Sequence, residues 1–475
     1  MKNPIKASRI KWEEVLRGNL EQHLDSKQNP KIGLIGALGA NDVGDEAMLV
    51  ALMDRLKDWF PGAKLTIYSN RPRLTNFYLN IETEPTLYGL LNNPKTLLSW
   101  FCHGINEIEN IITVFLQKIF KPRKTWCGKW FFRLCYLFIA QYIYHLARLV
   151  AEGRKIEPRG LISKHLLSLQ QLDALIFIGG GYLNSWHVKA GIYPYLITAK
   201  AAMILSKPVF ASGFNLGPLN AFDKRYAGKI IKDFKLIGVR DNNESVQILK
   251  DMGCDDRKYH FSSDDAVTLD CSDMGNGALR NFALEHRPYL ALQAHKWLLG
   301  AEDKEFLVKS LAAAIDNIIK KFNLQIVLIP MQFAEESISG VESSVETKKK
   351  KILTAHGLFL RRLKGKRVAD SVILEEIRER SLHKEKIFMA PKQLLPQQLK
   401  YLFANARVAL CTRHHSAVFS LSEGIPAVVV ELDEYYKMKL LGFARESLDK
   451  CRIVPLHSEN LKELLYDSVV FLLRE

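Results

Sequence analysis

The sequence is short of several things, and each shortage removes a class of protein. Its seven cysteines (Cys102, Cys127, Cys135, Cys254, Cys271, Cys411 and Cys451) are scattered, odd in number and never in a CxxC pair. That spacing argues against a disulfide framework or a zinc site and suits a reducing compartment. No apolar stretch of signal-peptide length precedes Lys31, so the chain is expected to stay in the cytoplasm. The most apolar run, Leu134 to Ala147, holds fourteen residues between Arg133 and Arg148, too few to span a bilayer. RNP-like, zinc-knuckle and helix-turn-helix signatures are missing, which counts against nucleic acid. There is no internal repeat and no strongly low-complexity tract.

What is present is ordinary in amount and biased in sign. Apolar residues make up 48% and charged residues 25% of the 475 residues, a globular composition. That length exceeds a single core and predicts two domains of roughly 200 residues each. A formal net charge of +16 attracts anions, whether nucleic acid, an anionic membrane or a phosphorylated small substrate.

Hydrophobic runs alternate with amphipathic stretches in two series. A buried-strand pattern over Lys31–Ala37 leads through Gly36, Gly39 and Gly44 to a helix from about Asp45 to Phe60 and a strand at Lys64–Ser69. Such βαβ units build parallel sheets. Strands at Asp173–Ile178, Pro208–Ser212 and Leu236–Val239 follow. After a linker-like stretch from Thr268 to Leu279, strands recur at Leu290–Gln293, Gln325–Ile329, Ala406–Cys411 and Ala427–Glu431. The expected organisation is a Rossmann-like domain over 1–267, a second over 280–456 and a C-terminal helix over 457–475, with a cleft between the domains. Ligands of open α/β sheets bind beyond the carboxyl ends of strands.

Two segments break the alternation. About 93–155 is rich in aromatic and basic residues; it reads as a helical insertion packed on the first domain or, more sharply, as a face lying on an anionic membrane surface. About 342–386 carries a run of basic residues, read as a solvated helix face or loop, against a phosphate or lipid site.

The chemistry-bearing residues fall after strands. In Cys411-Thr-Arg-His-His-Ser416 an extended crossing would point Arg413 and His415 one way and His414 the other. A helix starting near Ser416 would then present its free N–H groups beside a permanent cation and a proton carrier. The competing view pairs Arg413 with a nearby carboxylate. Arg240 leaves the end of another strand with geometry for a phosphate or carboxylate, or for an ion pair with Asp241 or Asp264. The Gly36–Glu46 loop lacks GxGxxG spacing and a following Gly-Lys-Ser/Thr. Its acidic residues would repel a phosphate, which disfavours NAD or ATP. Asn41 and Asp45 could instead bind sugar hydroxyls or simply cap the helix. Gly179, Gly180 and Gly181, followed by Asn184, allow a ligand near the backbone or make a tight turn. Asn215-Leu-Gly-Pro218, Gln293-Ala-His-Lys-Trp297 and Tyr435-Tyr-Lys-Met-Lys439 are further polar clusters after strands.

In order and spacing these segments resemble the polysaccharide pyruvyl transferase family over about residues 31 to 445. The resemblance is carried by Gly39-Ala-Asn-Asp-Val-Gly-Asp45, the Gly179–Gly181 run, Asn215 to Pro218, Val239-Arg-Asp241, Ser263-Asp-Asp265, and Arg413-x-His415-Ser416 before Gly424-Ile-Pro426. The two insertions depart from the family's core, and the 39–45 loop holds one residue more than a strict Asn-x-Gly-Asp. The resemblance implies an α/β fold of the GT-B type, with two Rossmann-like domains facing across a cleft. It implies phosphoenolpyruvate as donor, no further cofactor and no metal, and a ketal-linked pyruvate on a cell-surface glycan or its lipid-linked precursor. Arg240 and Arg413 then look like anion clamps and His415 like the general acid or base, with Asn41, Asp45, Gly180, Gly181, Asn184, Asn215, Ser416 and Lys439 as substrate contacts. The alternatives are a GT-B glycosyltransferase with a nucleotide-sugar donor and a non-enzymatic membrane-associated scaffold.

Overall fold

The computed structural model describes residues 3–24, 27–40, 42–91, 126–157, 160–186, 191–295, 299–332, 370–392, 394–432, 442 and 449–474. Contacts divide the chain into two units, one of Ala7–Ala40 and Met48–Asp265, the other of Met1–Lys6, Asn41–Ala47 and Ala266–Glu475. The first series of elements is α1 (Pro4–Leu24), β1 (Lys31–Ile35), α2 (Val43–Trp59), β2 (Lys64–Ser69), α3 (Pro72–Leu79), β3 (Thr83–Pro85), α4 (Leu87–Leu91), α5 (Trp126–Ala151), α6 (Leu161–Gln170), β4 (Ala174–Phe177), β5 (Gly180–Leu183), α7 (Ile192–Ile204), β6 (Val209–Leu216), α8 (Ala221–Ile231), β7 (Leu236–Val239), α9 (Glu244–Asp251) and β8 (Tyr259–Phe261). The second is α10 (Gly277–Glu285), β9 (Tyr289–Gln293), α11 (Ala301–Phe322), β10 (Gln325–Leu328), α12 (Asp370–Arg380), β11 (Ile387–Met389), α13 (Pro396–Ala404), β12 (Val408–Cys411), α14 (His414–Ser422), β13 (Ala427–Glu431), β14 (Cys451–Pro455) and α15 (Leu461–Arg474).

Each unit carries one sheet, and the described pairings are parallel. The orders are β3-β2-β1-β4-β6-β7-β8, with β5 added to β6, and β11-β10-β9-β12-β13-β14. Strand order therefore reverses between β1 and β4 and again between β9 and β12, the two places where a doubly wound sheet opens a crevice. The central strands β4, β6, β7, β9 and β12 are buried at every residue. Helices cover both faces of such sheets, which is why these strands read as continuous apolar runs rather than alternating ones.

Helix α1 has no counterpart in the sequence reading. Trp12, Leu16, Leu20 and Leu24 are buried at intervals of four, a helical stripe, but its next position, three residues earlier, is Arg9, which hides the pattern. Arg9 is fully buried and lies 2.5 Å from Asp265 and 3.1 Å from Glu13. Trp12 Nε1 donates to Ser212 Oγ at 3.0 Å, and that hydroxyl donates to Asp265 at 2.6 Å. Burial pushes Asp265 above the ordinary carboxylate range against the pull of Arg9.

Of the first insertion, 92–125 lies outside the described residues, and the rest forms α5. The fourteen-residue run read as too short to span a bilayer lies within a nineteen-residue helical stretch, Arg133–Ala151, that is long and apolar enough to cross a membrane by length and composition. Its inner face packs on the sheet unit through Tyr136, Ala140, Ile143 and Ala147, with Tyr136 stacked on Tyr193 at 5.5 Å. Arg133 forks onto Asp223 at 2.8 and 2.6 Å, and Tyr193 and Ser185 donate to the same carboxylate at 2.7 and 2.6 Å. The second insertion is described only in its last part. Residues 342–369, which hold the basic run, lie outside the described residues; the remainder includes α12, which turns Asp370, Ile373, Leu374 and Ile377 into the core and leaves a polar face outward.

In the second unit Lys400 is fully buried. Its ammonium donates to the carbonyls of Val267 and Leu269 at 2.8 and 2.9 Å and pairs with Glu423 at 3.0 Å. Its three protons thereby anchor the start of the 268–279 stretch.

Asp223 provides a test of the α5 mount. Burial pushes its carboxyl up, but hydrogen bonds from Arg133, Ser185 and Tyr193 outweigh this and hold it below its ordinary range. Its stabilising contribution is complete above the unfolded value of about 3.9 and is lost as pH falls through the lower folded value. Asp223→Ala strands Arg133 and is expected to cost about 3–5 kcal/mol in urea unfolding at pH 7. The variant should lose less further stability than wild type on acidification to pH 3.

Candidate functional site

The chain leaves β12 at Cys411 and takes one extended step at Arg413 (φ −96°, ψ 143°), which is the N-cap residue of α14. The helix begins at His414, two residues before the expected start. No proline or glycine delays it, so the helix takes up both histidines. The expected strand-like alternation of Arg413, His414 and His415 is thus replaced by helical geometry, in which successive side chains diverge by about 100°. The imidazole rings of His414 and His415 stand 5.2 Å apart and nearly perpendicular.

Arg413 sits at the β9/β12 reversal. Gln293, the last residue of β9, accepts from the Arg413 backbone N–H at 2.9 Å through its side-chain Oε1. The guanidinium forks onto Asp370, Nε to Oδ2 at 2.9 Å and one terminal nitrogen to Oδ1 at 2.8 Å. That nitrogen also donates to Gln332 at 3.1 Å, and the other donates to Asp42 at 2.9 Å. The view that Arg413 pairs with carboxylates is therefore realised, and by two of them. They differ in setting: the Asp370 side chain is 1% exposed and that of Asp42 30%. Burial drives the Asp370 carboxyl upward while Arg413 opposes it. His295 packs beside them with Nδ1 2.6 Å from Thr412 Oγ1, and burial, reinforced by the Arg413 charge, holds its pKa well below the ordinary histidine value. It stays neutral near pH 7.

His415 is fitted against the start of α2. A Cβ on Gly44 would lie 1.8 Å from His415 Nδ1, so this glycine is needed for the ring to sit where it does. The Val43 N–H donates to the Met331 carbonyl at 3.2 Å, tying the turn down. Asp45 stands in the first turn of α2, half-buried. Ser416 is fully buried, its hydroxyl 2.9 Å from Met331 Sδ.

The remaining candidates lie in the other unit. Arg240 follows β7, is 2% exposed and donates to Asp264 at 2.7 Å. Asn215, at the end of β6, donates to Asp241 at 2.8 Å, and Asp241 accepts from the backbone N–H of Ser245 at 2.8 Å, so the aspartate caps α9. Among the described residues Arg240 Nε, Asn215 Oδ1 and the Ser263 hydroxyl are buried without a hydrogen-bond partner. Ser263 follows β8 with φ +55°, outside the regions most residues prefer. Register pairs Phe214 with Val239 and Val239 with Phe261, so the three underused groups follow three adjacent strand ends.

The glycine run differs from a simple turn. Gly180 and Gly181 belong to β5, which pairs with β6. A Cβ on Gly179 would lie 2.9 Å from Asp265 Oδ2 and the Gly213 carbonyl, and Gly180 has φ +139°. Asn184 is fully buried, donating to the Gly181 carbonyl at 2.6 Å and accepting from the Trp186 N–H at 2.8 Å. Asn41 and Lys439 lie outside the described residues. Sequence reasoning missed Asp42, Gln332 and Asp370 as partners of Arg413. Asp370 sat in a stretch whose composition pointed to solvent, and the isolated position of its acidic residue before an apolar helix was the available signal.

Replacing Gly44 by Ala forces the His415 ring from its seat. We expect Gly44→Ala to lower turnover about a hundredfold with urea stability little changed, and an unchanged rate would show that His415 tolerates displacement.

No curated protein matches the sequence significantly. Solved structures of similar fold include a Listeria monocytogenes protein assigned as a UDP-N-acetylglucosamine 2-epimerase, at 10% identity and TM-score 0.50 over 94% of this chain and 88% of that one. A UDP-GlcNAc 2-epimerase from Methanocaldococcus jannaschii is 13% identical, with TM-score 0.44 over 94% and 93% of the two chains. A glycosyltransferase from Rickettsia africae is 9% identical, with TM-score 0.41 over 94% of each chain. At 10% identity the likeness to the Listeria structure concerns the fold alone, and with the two doubly wound sheets it makes this an α/β protein of the GT-B type. The sequence matches the polysaccharide pyruvyl transferase family over residues 42–434, a span holding the second sheet's switch point, Arg240 and the Arg413–Ser416 turn, and the chain belongs to that family of transferases acting on polysaccharide.

Proposed function

We propose that the protein transfers the pyruvyl group of phosphoenolpyruvate onto a sugar of a cell-surface glycan, or of its lipid-linked precursor, as a ketal, and does so in the cytoplasm. The observation that carries this reading is the seating of Arg413 and His415 together at the start of α14, at the strand-order reversal of the second sheet. A guanidinium there suits a carboxylate or phosphate, and an imidazole beside it suits proton transfer.

The donor must be protonated on its methylene carbon before its central carbon accepts a nucleophile. His415 supplies that proton. A sugar hydroxyl then bonds to the central carbon and gives up its proton, the carbon–oxygen bond to phosphate breaks, and a second hydroxyl closes the ring. Of the two hydroxyl protons, one in net terms ends in the new methyl group and one leaves on phosphate. The step asks for no metal or further cofactor: positive charge near the leaving phosphate and a tunable acid suffice. Arg413 provides that charge, and Arg240 is proposed as a second donor cation from the family resemblance. Asp370 holds Arg413 in place, and Asp42, the more exposed of its two carboxylates, is the one a donor anion displaces. Asn41, Asp45, Gly180, Gly181, Asn184, Asn215, Ser416 and Lys439 complete the proposed substrate contacts, Asn184 and Ser416 by shaping the backbone around them.

The test is release of inorganic phosphate from phosphoenolpyruvate in the presence of candidate acceptor glycans, run beside nucleotide-sugar donors. His415→Ala should lower the rate about 10²–10⁴-fold, Arg413→Met about a hundredfold or more, and His414→Ala should retain most activity. Consumption of a nucleotide sugar without phosphate release from phosphoenolpyruvate would replace this reading with a glycosyltransferase.

A further inference from the structure

Helix α5 carries apolar residues on both faces, and among the described residues only one face is covered. On its inner side it is fixed by the Arg133–Asp223 fork and the Tyr136–Tyr193 stack. On its outer side Leu134, Phe138 and Tyr142 are 50%, 77% and 56% exposed. They recur every four residues, so they form one stripe along the helix. Single exposed apolar residues are common on proteins, but a contiguous stripe on a rigid element marks an interaction surface. The other apolar helix of this unit, α7, shows the contrast: it buries ten of its thirteen residues.

Charge identifies the partner. The outer face continues from Leu134 and Phe138 through Gln141 and Tyr142 to His145 and Arg148, the last two exposed; beyond the helix Arg154 pairs with Glu152 at 3.4 Å, and Lys155 is followed by Glu157. No aspartate or glutamate occurs from Asn110 to Ala151. An apolar stripe ending in a tyrosine, a histidine and an arginine is the pattern of a helix lying in the headgroup layer of an anionic bilayer, with apolar residues reaching the acyl boundary and Arg148 meeting lipid phosphate. A protein partner of matching shape would need acidic groups around an apolar groove; a membrane offers both features without further design. The mount also sets the orientation. Arg133, beside Leu134, bonds to Asp223 in the first turn of α8, and Ser185, which follows β5, bonds to the same carboxylate. The apolar end of the stripe therefore lies at the carboxyl end of the first sheet, the end at which Asn215 and Arg240 are found.

We infer that the outer face of α5, through Leu134, Phe138 and Tyr142 with Arg148 at its C-terminal end, is a docking surface for an anionic lipid bilayer, on which the protein lies without crossing it. The inference concerns a surface apart from the donor residues and stands whichever donor the enzyme uses.

The experiment is co-sedimentation of the full chain with phosphatidylcholine vesicles containing or lacking phosphatidylglycerol, without substrates. Wild type should bind the anionic vesicles at least tenfold better than the neutral ones, and added salt should weaken binding. Leu134→Asp/Phe138→Asp, whose changes fall on exposed positions, should lose at least tenfold in anionic-vesicle binding while keeping its unfolding midpoint and its turnover of a water-soluble acceptor. Arg148→Glu should lower binding severalfold and reduce its salt dependence. Three outcomes overturn the inference: wild type left in the supernatant, a double variant that binds like wild type, or a stripe found to join two copies of the chain, seen as a dimer in solution that the double variant converts to monomer with vesicle binding unaffected.

Discussion

A guanidinium taken out of water keeps its charge only if an opposite charge goes with it, and this constraint organises the molecule. Among the described residues four arginines are buried, Arg9, Arg133, Arg240 and Arg413, and each meets an aspartate: Asp265, Asp223, Asp264 and Asp370. Because removing either member leaves the other stranded in a low-dielectric interior, such pairs commit the elements that carry them to one arrangement. Arg9 binds α1 to the segment after β8, Arg133 fixes α5 against α8, and Arg413 ties the β12–α14 turn to α12. The pairs act as clamps between distant stretches of chain as much as charge reservoirs.

The same constraint is met in different settings by the four arginines. Arg9 is surrounded by Asp265, Glu13 and Ser212 at full burial. Arg133 has its fork filled by one carboxylate that Tyr193 and Ser185 also use. Arg413 is steadied from the interior by Asp370 and touched from its more open side by Asp42, so it is rigid and yet has one carboxylate that a substrate anion could replace. Arg240 has a single aspartate on one terminal nitrogen, with its Nε buried and without a partner. Both lie where strands end, which is where a doubly wound sheet presents its ligands.

Much of this was legible before the structure. Two parallel α/β series followed from continuous apolar strands separated by amphipathic helices, and the candidate arginines and histidine followed from their place after strands. Helix α1 was not legible because an arginine occupies a position of its buried stripe, and burial of Arg9 depends on Asp265, more than two hundred residues away. The start of α14 was misjudged because a run of polar residues after a strand looks like a crossing, while hydrogen-bonded helix geometry claims any such run that contains no breaker. The apolar run within α5 was bounded at Arg133 because a charge looks like a solvent boundary, whereas Arg133 is buried and neutralised by Asp223.

What the sequence by itself determined was local and periodic: which segments are strands and helices, that the sheets are parallel, and which side chains stand at strand ends. These follow from side-chain spacing and from the need of a doubly covered strand to be apolar throughout. Only the tertiary structure decided which carboxylate each buried arginine receives, that Gly44 makes room for His415, and which face of α5 is left uncovered. Those are contacts between residues far apart in the chain, and spacing along the sequence carries no information about which distant group will neutralise a charge or fill a space.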